Sequence, residues 1–145
     1  MVAPRSALFS GRGFNIDTLN VAPTQDPTTS RMTIVVKGDD TVLEQVTKQL
    51  NKLVDVIQID DYRDEEVVER ELVLMRVKVD ASNRTEVMQL CEIFRAKAVD
   101  VQHEVLGIEV TGNESKVDKF LMLMGKFGIS ELSRTGRVAL ARKAN

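Results

Sequence analysis

Few stretches of this 145-residue chain hold residue types that could do chemistry, and each has an ordinary structural reading beside the reactive one. Gly11-Arg12-Gly13 has the small residues of a phosphate-cradling loop. That loop needs a strand before its first glycine and a third glycine at the proper spacing, and neither is present. A helix ending in Leu8-Phe9 precedes the glycines, which then serve as its left-handed C-cap. The acidic run from Asp60 to Glu71 offers carboxylates for a metal or an acid/base pair, but no His or Cys lies in register, so a solvated linker is expected. His103, the sole histidine, adjoins Glu104 at a strand end, and local spacing brings it no serine or cysteine. Cys91 falls in an apolar helical stripe, where a thiol behaves as a small hydrophobe. Met122 and Met124 flank Leu123, and packing accounts for both. No nucleophile is built with its base, so catalytic and metal-ligating residues are both expected to be none. Asn15 and Asn20 keep two readings open. An Asn near a Gly can stabilise a turn, while its amide, donating and accepting at once, can also hold an amino-acid ligand.

These residues sit in a chain of ordinary globular composition, 43% hydrophobic but only 4% aromatic and without Trp. Its core must therefore come from Val, Ile, Leu and Met. Twenty basic against 22 acidic residues leave a net charge of −2, too little field to draw a phosphate backbone. The basic stretch Ser133-Arg134-Thr135-Gly136-Arg137 and the short Arg142-Lys143 do not change that, and the strands lack the aromatics that stack on bases. One cysteine precludes an internal disulfide and points to a reducing compartment. No apolar run approaches the roughly 20 residues that span a bilayer. The start does not read as a signal peptide, so a cytoplasmic location is expected.

Period decides the elements. Val42, Leu43, Val46, Leu50 and Leu53 form a helical stripe, with Thr41 and Glu44 as its capping box. Val87, Leu90, Cys91 and Phe94 form a second, capped by Asn83 and Glu86. Val117, Phe120, Leu121 and Met124 form a third, opening near Gly112-Asn113 and stopping by Gly125 or Gly128. Alternation predicts strands around Leu19–Val21, Met32–Val36, Val54–Ile59, Val73–Val79, Val99–Val101, Leu106–Val110 and, more weakly, Ile129–Leu132, with a turn at His103-Glu104. The second half, from about Val67 to Leu132, reads β-α-β-β-α-β, the split βαβ arrangement of ferredoxin-like domains. The first half reads α-β-β-α-β, the same pattern without its first strand. Asp60–Glu66 is the linker between them.

The ordered string Gly11-Arg12-Gly13-Phe14-Asn15-Ile16-Asp17-Thr18-Leu19, Val21-Ala22-Pro23-Thr24, Asp26-Pro27 and Ser30-Arg31-Met32-Thr33-Ile34 closely resembles the small regulatory subunit of acetohydroxyacid synthase (acetolactate synthase). Gln49-Leu50-Asn51-Lys52-Leu53-Val54-Asp55-Val56, Glu69-Arg70-Glu71-Leu72, Glu92-Ile93-Phe94-Arg95-Ala96 and Arg134-Thr135-Gly136 extend the likeness over Leu8 to Arg142. The resemblance implies two tandem ferredoxin-like modules: an N-terminal ACT domain over residues 1–63, truncated at its start, and a C-terminal ACT-like domain over 67–145. It implies a non-catalytic subunit of branched-chain amino-acid biosynthesis. Such a subunit activates a separate large catalytic subunit, which carries thiamine diphosphate, Mg²⁺ and FAD, and mediates valine feedback inhibition. It also implies a homodimer through ACT domains with valine bound at that interface, Asn15 and Ile16 beside the ligand, and Asn20 where the family often has Thr. The competing function is a free-standing ACT-type amino-acid sensor acting on another protein. In the family, a strand and an Asn- and Gly-containing turn precede the first helix, and this sequence begins partway along that helix. A misassigned start, a strand supplied by a partner, and a shortened subunit with impaired valine sensing are the competing explanations.

Overall fold

The computed structural model describes residues 15–63 and 65–143. They form two compact units, one holding the residues up to Val68 together with those from Ala139 onward, the other Glu69–Val138. The class is mixed α/β, as the patterning predicts.

In the first unit, β1 (Asn15–Pro23) and β2 (Ser30–Lys37) pair antiparallel and are followed by α1 (Asp40–Asn51). The helix starts two residues earlier than its apolar stripe, and its cap is Asp39 rather than Thr41. The Asp39 carboxylate accepts from the Val42 amide at 3.1 Å, and aspartate is the stronger N-cap. Gly38 makes the approach to that cap: its φ is +155°, and a Cβ there would lie 2.7 Å from the Val42 Cβ. Val46 is the buried apolar side chain of this unit among the described residues.

The strand expected at Val54–Ile59 does not form. The chain leaves α1 through a turn and continues without regular structure to Asp61, leaving Val54 99% and Ile57 85% exposed. Among the described residues no strand pairs with this segment. Its alternation therefore has no ladder to satisfy, and a strand without paired amides has little to hold it. The expected helix ending at Leu8-Phe9, with its glycine cap, lies outside the described residues.

The second half is β3 (Val67–Lys78), α2 (Arg84–Ile93), β4 (Lys97–Val101), β5 (Val105–Gly112), α3 (Glu114–Gly125), β6 (Ile129–Arg134) and β7 (Val138–Ala141). The strands run β4-β5-β3-β6 across the sheet, with every neighbour in that path antiparallel. This is the ferredoxin-like order that the βαββαβ pattern predicts. The final strand β7 was not foreseen. It pairs with β3, and the Arg142 amide donates to the Glu66 carbonyl at 2.9 Å.

Alternate residues of β3 (Val73, Met75, Val77) and β5 (Leu106, Ile108, Val110) join Val79 in turning inward to meet Val87 and Cys91 of α2 and Val117, Phe120 and Met124 of α3. Each fully buried aliphatic or aromatic side chain contributes about 1.5–3 kcal/mol, so this cluster holds the sheet beneath its helices. The two helix starts differ. Asn113 caps α3 by accepting from the Lys116 amide at 2.9 Å. Asn83 occupies the cap position of α2, but its side chain accepts from the Asp80 amide instead. Its αR backbone turns the amide away from the first turn, a local bond winning over the cap.

Candidate functional site

The residues with a sequence-based claim to a ligand lie on β1, so the ladder decides which of them act together. Asn15 sits opposite Lys37, Ile16 opposite Val36, Thr18 opposite Val35, Leu19 opposite Ile34 and Asn20 opposite Thr33, with a bulge between Ile16 and Thr18. The extra residue is Asp17, whose carboxylate lies 3.7 Å from the Lys37 ammonium. Side chains directly opposite in an antiparallel pair share a face. The bulge therefore carries Ile16 onto the apolar face of Leu19, Val21, Met32, Ile34 and Val36. Asn20 lies on the other face with Thr18. Ile16 and Asn20 thus stand on opposite sides of the hairpin.

Thr18 is a residue the sequence reading did not single out. Its hydroxyl is buried and has no hydrogen-bond partner among the described residues, a condition that usually marks a place for water or ligand. The outer edge of β1 likewise has no strand partner among the described residues. The hairpin thus carries a side-chain amide at Asn20 and a hydroxyl at Thr18 on one face. Such groups can grip an amino acid's carboxylate and ammonium, and they can do no acid/base chemistry. The hairpin is closed by an Asx-type turn. Asp26 accepts from the Thr28 hydroxyl at 2.7 Å and the Thr28 amide at 2.9 Å, and the hydroxyl bond leads in holding the Asp26 carboxyl below the usual carboxylate range.

On the strand next to that turn, the Arg31 Nη2 donates to the Tyr62 hydroxyl and to the Ala139 carbonyl, each at 2.9 Å. A concavity of about 440 Å³ in the same unit is lined by Asp60, Tyr62, Glu65, Glu66, Ala141, Arg142 and Lys143. Neither Ile16 nor Asn20 lines it.

The acidic run is not solvated throughout, because Glu69 and Glu71 belong to β3 and Glu71 is only 2% exposed. Period two puts Glu71 on the inward face with Val73, and Arg134 of β6 reaches it as an ion pair. The linker reading fails at that point because the strand that opens at Val67 runs on through these carboxylates. The other Glu71 oxygen, Oε2, is buried without a partner among the described residues. Arg137 pairs with Glu114 at 3.0 Å and Glu69 at 3.7 Å. His103 is exposed in the β4–β5 turn, where its carbonyl accepts from Arg84. Cys91 is 2% exposed and burial pushes its thiol pKa up, the opposite of what a nucleophile needs. Met124 is fully buried and Met122 is 62% exposed. Among the described residues no group of three or more His, Cys, Asp or Glu could hold a metal ion, and no helix is long and apolar enough to cross a membrane.

Comparison with known proteins covers both halves. Residues 6–58 match the family described as AHAS small subunit-like ACT domain. Residues 70–143 match the family described as small subunit of acetolactate synthase. The chain is 51% identical over 142 residues to the probable acetolactate synthase small subunit of Archaeoglobus fulgidus, covering 98% of this chain and 89% of that one. It is 48% identical over 138 residues to the corresponding protein of Methanothermobacter thermautotrophicus, covering 94% of this chain and 82% of that one. The crystal structure of the acetolactate synthase small subunit from Thermotoga maritima superposes with a TM-score of 0.87 at 41% identity, covering 99% of this chain and 90% of that one.

Proposed function

The chain belongs to the acetolactate synthase small-subunit family, and from that premise we propose that it docks on the catalytic subunit, raises its activity and makes it sensitive to valine. The observation that carries the reading is the tandem match, ACT-type over 6–58 and small-subunit-specific over 70–143, on one chain in that order. On this reading the catalytic subunit, with its thiamine diphosphate, Mg²⁺ and FAD, supplies all of the chemistry. Valine is held at the first hairpin beside Asn15, Ile16 and Asn20, at a homodimer interface. Because Ile16 and Asn20 lie on opposite faces of one hairpin, a single copy does not wrap the effector with both. At an interface between two copies, one hairpin can present its Ile16 face and the other its Asn20 face to the same effector.

Feedback inhibition then requires that valine bind one state of the complex more tightly than the other, since equal affinity shifts nothing. The test is to titrate the purified chain into a cognate catalytic subunit and follow acetolactate formation with and without valine. A rise in rate on mixing, lowered again by valine, is the expected outcome. An unchanged rate at saturating chain overturns the docking reading. A raised rate indifferent to valine overturns the effector part alone.

A further inference from the structure

We propose that the concavity formed by residues 60–66 and 141–143 is a second amino-acid site, which takes the ammonium and carboxylate of a free α-amino acid on side chains of opposite charge. It does not use Ile16 or Asn20, and it stands or falls separately from valine at the hairpin.

Both segments belong to the first unit. One brings the carboxylates of Asp60, Glu65 and Glu66, the other the cations of Arg142 and Lys143. The Arg142 amide donates to the Glu66 carbonyl at 2.9 Å, so the backbone itself keeps the two signs side by side. Yet the charges do not meet. Among the described residues no ion pair joins these carboxylates to Arg142 or Lys143. The neighbouring cation Arg63 is taken by Asp61 at 2.9 Å and Asp40 at 3.5 Å. Unlike charges that line one hollow without pairing are left to be matched by what enters it. A ligand of a single sign is drawn to one segment and repelled by the other. A molecule that carries both signs on one carbon suits the two together.

Tyr62 adds a neutral donor. Arg31 clasps its hydroxyl and the Ala139 carbonyl with one amino group, at 2.9 Å each. A phenol that accepts from a guanidinium still has its own O–H to give. Tyr62 is half-buried and lines the hollow with Ala141, which gives it apolar as well as charged surface. Its volume of about 440 Å³ falls in the range of roughly 300–1,000 Å³ found for small-molecule sites. The charged side chains are exposed and solvent screens each contact, so a dissociation constant of about 1 mM is expected.

Tyr62 is the single Tyr and the chain has no Trp, so tyrosine fluorescence of the full chain reports from inside this hollow. L-leucine and L-lysine are the probes, one with an apolar and one with a cationic side chain. A saturable change in emission with either, at about 1 mM, is expected; none with both overturns the proposal. The N-acetyl derivative lacks the ammonium and the methyl ester lacks the carboxylate. Each should bind about tenfold more weakly, and parity of either with the free amino acid overturns the proposal without any variant being made. Glu65→Gln with Glu66→Gln, and Arg142→Gln with Lys143→Gln, each remove one sign at exposed positions and should weaken binding by about fivefold or more. Asn20→Ala should leave it within about twofold. A signal lost in Asn20→Ala but kept in both double variants belongs to the hairpin, which defeats this proposal and leaves the hairpin reading in place.

Discussion

Removing Arg134 should cost far more than neutralising the residue it pairs with. The Glu71 side chain is 1% exposed and that of Arg134 36%. Of the Glu71 oxygens, Oε1 takes the Arg134 guanidinium and Oε2 has no partner among the described residues. Arg134→Met therefore leaves a buried carboxylate with neither oxygen hydrogen-bonded, a loss of about 3–5 kcal/mol. Glu71→Gln removes the charge but keeps the shape and an acceptor. The partly exposed Arg134 it leaves behind still has Asp118 at 3.4 Å and water, so the cost is about 1–2 kcal/mol. The gap of about 2 kcal/mol is a factor of about thirty in an equilibrium constant. With no Trp in the chain and its single Tyr at position 62, fluorescence would miss this unit. Native-state hydrogen exchange at the Ile108 and Val110 amides of β5 reads it directly. The double variant Glu71→Leu with Arg134→Met should regain most of the loss, since an apolar pair of similar volume is often as good as a buried ion pair. Equal costs for Arg134→Met and Glu71→Gln would refute the reasoning.

Phe120→Ala should destabilise the second unit by about 3–5 kcal/mol, because the ring is fully buried and packs on Phe94 with centroids 5.2 Å apart; Met122→Ala, two residues on but 62% exposed, should stay within about 0.5 kcal/mol by the same exchange measurement. Cys91 makes stability fall in alkali. Its folded thiol pKa is raised by burial, so its contribution is fully present below the unfolded thiol's value of about 8.5 and is lost as pH rises through the folded one. The stability difference between wild type and Cys91→Ala should accordingly shrink between pH 8 and 10. A difference that stays constant would show that the thiol does not titrate differently in the two states.

Much of the second unit could be read from the chain because its signals agree. Val73, Met75 and Val77 alternate on a strand whose neighbours also alternate, and Val117, Phe120 and Met124 keep helical spacing behind a capping Asn113. The misreadings share one cause, which is that local pattern carries no knowledge of partners. Val54–Ile59 has a strand's alternation and no ladder among the described residues. Glu71 looks like linker, since only the sheet places Arg134 within its reach. Arg95 ends α2 with φ +57°, a conformation usually taken by glycine, and nothing in its type announces this. For the candidate site, the resemblance points to Asn15, Ile16 and Asn20 but says nothing of the split between Ile16 and Asn20. That depends on one bulged residue, which period counting cannot see. Thr18 and Arg31 were missed because a hydroxyl or a cation inside an alternating strand reads as its solvent face.

The clasp between Arg31 and Ala139 also sets an order of events during synthesis. The two residues are 108 positions apart, and at a ribosomal pace of about 5–20 residues per second the second is made about 5–20 s after the first. Everything from Glu69 to Val138 has been translated by then. The downstream unit thus has all of its residues while the upstream one still waits for Ala139–Arg142. A premature stop codon, or a protease nick near position 138, would strike the end of the chain yet do its damage to the hairpin at the beginning.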